Sequence, residues 1–225
     1  MDIPHFTIGT GYAAYRGPVT DSAVHRHAAF QIARAPDGVE LVDAAGIRHR
    51  STVLLVPPAQ HHRIRAVTRL ETFFVEPHCV FADRLRALCA DGITAAPGLQ
   101  GVGEDEIRAG TSPSADLDPR LLLAMDLLRD NGFPMPELAA AVGLSPQRLR
   151  ALARAQVGMP LTRWRVWTRL RRAAQQLRSG DSVADAAIAA GFADQAHFTR
   201  QLRDMMGMTP AQVQPILCPQ SRRAT

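Results

Sequence analysis

His25 and His27 stand two residues apart in "HRHAAFQI" (25–32), and His61 and His62 follow as an adjacent pair. Read as a β-strand, the first stretch sends both imidazoles to one face, because side chains at i and i+2 share a side. Joined by His61 or His62, they offer three nitrogens to a divalent metal, with water in an open position. The same side chains equally suit a pocket wall or loop-tying hydrogen bonds.

Cys79, Cys89 and Cys218 are odd in number and widely spaced, with no CxxC pair. This pattern predicts reduced, packed thiols, and it speaks against a disulfide framework or a zinc knuckle. It also speaks against a DNA-repair alkyl acceptor, whose chemistry needs a clustered, reactive cysteine.

The elements that would position the histidines divide the chain in two. Of the 225 residues, 1–116 carry 11 Arg against 13 Asp and Glu, and 117–225 carry 15 Arg against 8. Seven of the eight histidines lie in the first half. A near-neutral, His-rich half joined to a strongly basic one predicts two domains with different partners, the basic one a candidate for nucleic acid. All 26 basic residues are Arg, as coding bias alone can produce, so position must carry the argument rather than number. No apolar run reaches membrane-spanning length and the start lacks a signal peptide, which predicts a cytoplasmic protein with no membrane partner.

Residues 1–80 read as short strands and turns. "APDG" (35–38) and "AAG" (44–46) supply turns, and "VELV" (39–42), "STVLLVPP" (51–58), "IRAV" (64–67) and "LETFFV" (70–75) are strands of a small barrel or sandwich. A helix is expected over 81–91, ending at Gly92. Residues 93–116, rich in Gly, Pro and Ala, read as a linker that holds at most a short helix.

Beyond it the chain reads as helical, near 119–131, 135–142, 146–157, 161–179, 183–190, 194–206 and 210–214. Asp118-Pro119, Ser145-Pro146 and Thr209-Pro210 each place a capping residue before Pro at the first helical position, and Ser182 with Asp185 is a capping-box-like start. "ELAAAVGLSPQRLRALARAQVG" (137–158) and "DAAIAAGFADQAHFTRQLRDMMG" (185–207) repeat one plan: an Ala-rich helix, a turn glycine, an apolar residue, then a helix bearing Gln and Arg. Ala139 and Ala187 precede Gly143 and Gly191 by four residues, so two helices can cross closely at each turn. Gln147, Arg148, Arg150 and Arg154 project from one second helix, and Gln195, Thr199, Arg200 and Arg203 from the other. Gln suits adenine and Arg suits guanine in the major groove. Between the units, Trp164, Trp167, Leu170, Ala174 and Leu177 form a packing stripe ringed by Arg163, Arg165, Arg169, Arg171 and Arg172. Some of these arginines are expected on phosphates and others in solvent.

"SVADAAIAAGFADQAHFTRQLRDMMGMTPAQV" closely resembles the signature of AraC/XylS-type transcription regulators, through its A..AGF..Q..F.R......G.TP pattern and the Trp164…Arg169-Leu170 connector. The resemblance covers about residues 118–214. It implies a seven-helix domain with two helix-turn-helix units in adjacent major grooves of double-stranded DNA. Carried over by position, Gln147, Arg148 and Arg150 face bases from the first unit, and Gln195, Thr199 and Arg200 from the second. Met206 and Val213 stand where aromatics are usual, and Ala151 and Ala196 replace larger residues.

The N-terminal half resembles, more loosely, the cupin-like sensor barrel of such regulators. "HRHAAFQ" stands at the barrel's HxH strand and "VLLVPPAQHH" at its second motif. Metal cupins add a Glu four residues after the second His, and here that residue is Gln31, a poor ligand. The resemblance implies an effector pocket at His25, His27, Gln31 and His62, with no catalytic residues and no resident cofactor. If a metal binds, His25, His27 and His62 hold it. Arg26, Arg63 and Arg65 nearby favour an anionic effector.

The expected whole is an α+β chain of two domains: a cupin-like β-barrel for sensing and dimerisation over 1–92, a linker over 93–116, an all-α DNA-binding domain with two helix-turn-helix units joined by a long helix over 117–216, and a tail over 217–225. Its expected role is a non-enzymatic transcription regulator under a small-molecule effector, acting as a homodimer through the 81–91 helix and able to meet RNA polymerase. A cupin metalloenzyme or metal sensor fused to a DNA-binding module is the alternative.

Overall fold

The computed structural model describes residues 4–89, 92–130 and 132–217. Cys218, the tail from 218 and the last residue of the helix expected over 119–131 lie outside them. The chain is α+β: an antiparallel sheet of β1 (His5–Gly9), β2 (Tyr12–Val19), β3 (Phe30–Asp43), β4 (Arg48–Val56), β5 (His62–Ile64), β6 (Val67–Val75) and β7 (Thr94–Ala95), followed by a helical half. The sheet order is β1-β2-β6-β3-β4-β7, and β5 pairs with the far end of β3.

Three readings of the strands need correction. "APDG" is not a turn: it lies inside β3, where the register to β4 shifts between Arg34 and Val39 and Gly38 takes φ +90°. A bulge of this kind bends a strand instead of ending it. Accordingly β3 pairs with β6 through residues 30–34 and with β5 through 41–43. "HRHAAFQI" is a regular strand only from Phe30. His25 sits in the preceding segment, locked to His62 by a two-residue bridge with both backbone hydrogen bonds at 2.9 Å. "IRAV" likewise divides between the end of β5 and the start of β6.

Alternation assigns the faces. Ala14, Phe30, Ile32, Val53, Leu55, Phe73 and Val75 pack with α1 (Val80–Leu88) and with Leu99, Val102 and Ile107. The segment expected as a linker is therefore built onto the sheet: its short helix α2 (Glu104–Ala109) buries Ile107 fully, and the Tyr12 hydroxyl donates to Glu104 at 2.9 Å. The opposite face carries Ala13, Tyr15, Gln31, Ala33, Leu54, Val56, Thr72 and Phe74 and turns toward the helices.

The helices are α3 (Pro119–Asp130), α4 (Met135–Ala141), α5 (Pro146–Val157), α6 (Leu161–Arg178), α7 (Val183–Ala189), α8 (Gln195–Met206) and α9 (Pro210–Leu217). The starts at Asp118, Ser145 and Ser182 are capped as the sequence indicates, whereas at Thr209 the acceptor is Gln212. Ser145 accepts from the Arg148 amide, Ser182 from the Asp185 amide, and Gln212 reaches back to the Thr209 amide. Asp194 adds a cap on α8, accepting from the His197 amide at 2.6 Å. Both turn glycines are left-handed, Gly143 at φ +67° and Gly191 at +83°, with Ala139 and Ala187 fully buried beneath them.

Ala13, Ala28, Ala29 and Phe74 join the same apolar cluster as Trp164, Trp167, Leu149 and Phe198. The sheet and the helical half thus share a core.

Candidate functional site

Two polar surfaces stand clear of that core. On α5, Gln147, Arg148, Arg150 and Arg154 are exposed, opposite buried Leu149, Ala153 and Val157. On α8, Gln195, Arg200 and Arg203 are exposed, opposite Phe198, Leu202 and Met205. Thr199 is half-buried, and its hydroxyl donates to the Gln195 carbonyl at 2.8 Å. Gln147, Arg150, Arg154, Arg200 and Arg203 make no side-chain hydrogen bond or ion pair among the described residues. Five of these side chains therefore retain their donors for an outside partner.

The connector α6 behaves differently, because most of its arginines are engaged within the chain. Arg165 donates to the Phe133 carbonyl and Arg172 to the Arg129 carbonyl. Arg171 pairs with Glu76, whose carboxylate also accepts from Trp167 Nε1 at 2.9 Å. Arg163 pairs with Asp204 at 3.0 Å and reaches the Arg26 carbonyl. Desolvation lowers the pKa of both Arg163 and Arg169. Four of the five arginines thus cross-tie elements, and Arg163 and Arg171 tie the helical half to the sheet. Both tryptophans are core, and Trp164 Nε1 donates to the Met125 carbonyl at 2.8 Å.

Between the halves lies a cavity of about 400 Å³. Its walls come from the sheet (Phe6, Tyr15, Leu70, Phe74), from α6 (Trp167, Leu170, Ala174), from α8 (Leu202, Met206) and from α9 (Val213, Ile216). The lining is chiefly apolar. Gln31 and Thr72 form a polar group within it, hydrogen-bonded to each other at 3.2 Å. Arg26, Arg63 and Arg65 are absent from the lining among the described residues; the arginine that reaches it is Arg171, already engaged by Glu76. Thr72 and Phe74 are two residues apart in "LETFFV", so their shared face was readable in the sequence. The contributions of α6, α8 and α9 had no local signal.

His25, His27 and Gln31 line this cavity at one end, and His62 lies fully buried behind them. His62, not the exposed His61, is the partner of the pair. One nitrogen from each of the three rings lies within 4.8 Å of the others, and His25 Nε2 is 3.2 Å from His27 Nε2. Nδ1 of His25 lies 2.8 Å from the Ala23 carbonyl, and Nδ1 of His62 lies 2.9 Å from the Gln60 carbonyl. Carbonyls only accept, so both Nδ1 atoms carry the proton and both Nε2 atoms present lone pairs. The structure places Gln31 Oε1 2.9 Å from His62 Nε2 and its NH₂ donating to Thr72; a lone pair on His62 Nε2 requires the amide turned over, with the NH₂ toward His62 and the oxygen accepting from the Thr72 hydroxyl. Burial holds all three rings neutral: it pushes His62 down to about 3, His27 well below its ordinary range, and His25 in the same direction. Burial also pushes Cys79 and Cys89 up to about 11, which keeps them as thiols.

Residues 138–215 match the family model described as a helix-turn-helix domain. The bifunctional transcriptional activator/DNA repair enzyme Ada of Escherichia coli K12 is 36% identical over 86 residues, which are 38% of this chain and 24% of Ada. The regulatory protein ada of Salmonella typhimurium is 36% identical over 75 residues, 33% of this chain and 21% of that protein. The chain thus spans less than a quarter of the length of the curated relatives it matches. Among solved structures, ToxT from Vibrio cholerae O395 superposes with a TM-score of 0.61 at 9% identity, over 93% of this chain and 99% of that one. Wild-type ToxT from strain SCE256 with an unsaturated fatty acid bound gives 0.60 at 11% identity, over 93% and 97%. At such identities the likeness establishes a shared fold, and it extends across both halves.

Proposed function

We propose that this AraC-type helix-turn-helix transcription regulator recognises specific DNA sites through α5 and α8, under the control of a mainly apolar small molecule held between its halves. The observation that carries the reading is the double role of α8. Gln195, Arg200 and Arg203 stand free on one side, and Leu202 and Met206 line the cavity on the other. A ligand in the cavity therefore touches the helix that meets DNA. Gln147, Arg148, Arg150, Gln195, Thr199 and Arg200 supply base contacts in this reading, with Arg154 and Arg203 beside them.

The lining favours an elongated apolar body with one or two polar atoms for Gln31 and Thr72. The fatty-acid complex of the similarly folded ToxT supports the same ligand class. A homodimer through α1 belongs to the proposal, supported by the exposure of Val80 and Leu88 on that helix. Contact with RNA polymerase is part of it as well.

The test combines ligand and DNA. Adding oleate to the full chain should raise its melting temperature, since a ligand that binds only the folded state stabilises it. It should also change affinity for a duplex from the chain's own upstream region by roughly fivefold or more, the usual range of such couplings. Neither change, across a panel of apolar carboxylates, alcohols and aromatics, would remove the effector reading.

A further inference from the structure

We propose that His25, His27 and His62 bind one zinc-class transition-metal ion, and that the end of α8 completes the site, so that loading ties the sheet to the DNA-facing helix. The inference stands whether or not the apolar cavity takes an effector.

The donor geometry suits such an ion. A tetrahedral centre with bonds of about 2.05 Å sets its nitrogens roughly 3.3 Å apart, and His25 Nε2 and His27 Nε2 already lie at 3.2 Å. Three neutral imidazoles without a carboxylate select zinc or its neighbours over calcium and magnesium, which take oxygen ligands. The positions are set by backbone as well as side chain. His25 and His62 are bridged residue to residue, and the His27 carbonyl accepts from the Ala59 amide at 2.8 Å. Ala23 and Gln60 hold two of the rings by Nδ1, the outer-shell arrangement that orients metal-bound histidines.

His27 is the exception among the three rings. His25 Nε2 is a lone pair, so with no cation between the rings His27 Nε2 must carry the proton that lies between them. That leaves His27 Nδ1 as a buried lone pair, and it has no hydrogen-bond partner. The last turn of α8 lies against this segment: the Asp204 carbonyl accepts from the amide of Arg26, between two of the ligands, at 3.1 Å. A metal on Nε2 would place the His27 ring proton on Nδ1. Three lone pairs are shared with the ion, no electron is transferred, and no proton leaves. His62 exchanges the Gln31 amide for the metal, and Thr72 retains Gln31.

The carboxyl end of a helix carries partial negative charge, and Asp204 on that turn acts on His25 against the opposing effect of Arg163, which reaches both His25 and His27. Gly207, which caps α8 at φ +68°, lies so close that an added Cβ would stand 2.7 Å from His25 Nδ1 and 2.9 Å from the Ala23 carbonyl oxygen.

The test titrates zinc chloride into the full chain, without an affinity tag and stripped by a chelator, against a chromophoric competitor. One zinc should bind per chain at sub-micromolar affinity. His25→Gln and His62→Gln should weaken it by about a hundredfold or more, and Cys79→Ser and Cys89→Ser should leave it unchanged. Binding no tighter than that of the His25→Gln and His62→Gln variants, or binding lost with the cysteines instead, overturns the site. Hydrogen exchange then addresses α8: zinc should slow amides over 203–208, and equal rates with and without zinc overturn the link. Gly207→Ala should lower affinity by roughly tenfold, the scale of outer-shell effects. Unchanged affinity in a folded variant counts against the part assigned to α8, and if that variant fails to fold the exchange data decide.

Discussion

Glu76, just past the end of β6, and Arg171, in the middle of α6, form a buried ion pair between the two halves of the chain, and Trp167 Nε1 donates to the same carboxylate oxygen. The side chains are 2% and 18% exposed. Glu76→Ala should cost about 3–5 kcal/mol, because it strands a desolvated guanidinium and an indole N–H. Urea denaturation measures this. The variant should also split unfolding into two transitions, since the pair joins the sheet to the helices.

The two classes of arginine should separate in experiment. Arg200→Ala and Arg150→Ala should weaken DNA binding by about 1–3 kcal/mol and relax discrimination at one base pair each, with the melting temperature unchanged. Arg163→Ala should do the reverse, because it removes ties to Asp204 and the Arg26 carbonyl. A loss in the salt slope of DNA binding on Arg163→Ala would show that this arginine neutralises a phosphate after all.

That separation marks how far the sequence could be read. The tandem units were legible because their signals are local: a cap at Ser145, small residues at Ala139 and Ala187, glycines where the turn needs a left-handed backbone. The paired histidines were legible as a cluster even though they precede the strand, because the bridge to His62 replaces the strand in aligning them. The fate of α6's arginines was not legible. Arg171 meets Glu76 from 95 residues away, and nothing near either residue announces the other. The packing of residues 93–116 was hidden for a related reason: Leu99, Val102 and Ile107 are too few and too scattered to show a period, yet each fills a place on the sheet.

Acid should destabilise the metal-free protein. His62 stays neutral in the fold down to about pH 3, against an ordinary value of 6.5. Between those values the unfolded chain binds a proton that the folded chain refuses. Stability is therefore full above about pH 6.5 and falls below it by about 1.4 kcal/mol per pH unit for this group alone. His25 and His27 shift in the same direction and steepen the loss. Urea midpoints at pH 8 and pH 5 test this, and His62→Gln should show the smaller drop. Equal drops would mean that His62 does not set the slope.

Filling the cavity should mimic or block the effector. Ala174 lines it from α6, and Ala174→Trp places an indole in the apolar space. Thermal shift by an apolar ligand should disappear in this variant. A shift that persists at wild-type size would place the ligand elsewhere.

The most direct measurement is the affinity of the full chain for a labelled duplex from its own upstream region, set against a scrambled duplex of equal length and composition at physiological salt. The predicted result is binding about a thousandfold tighter or more to the native sequence, lost when Arg150 and Arg200 are both replaced by Ala. Equal affinity for the two duplexes would contradict sequence-specific regulation through α5 and α8.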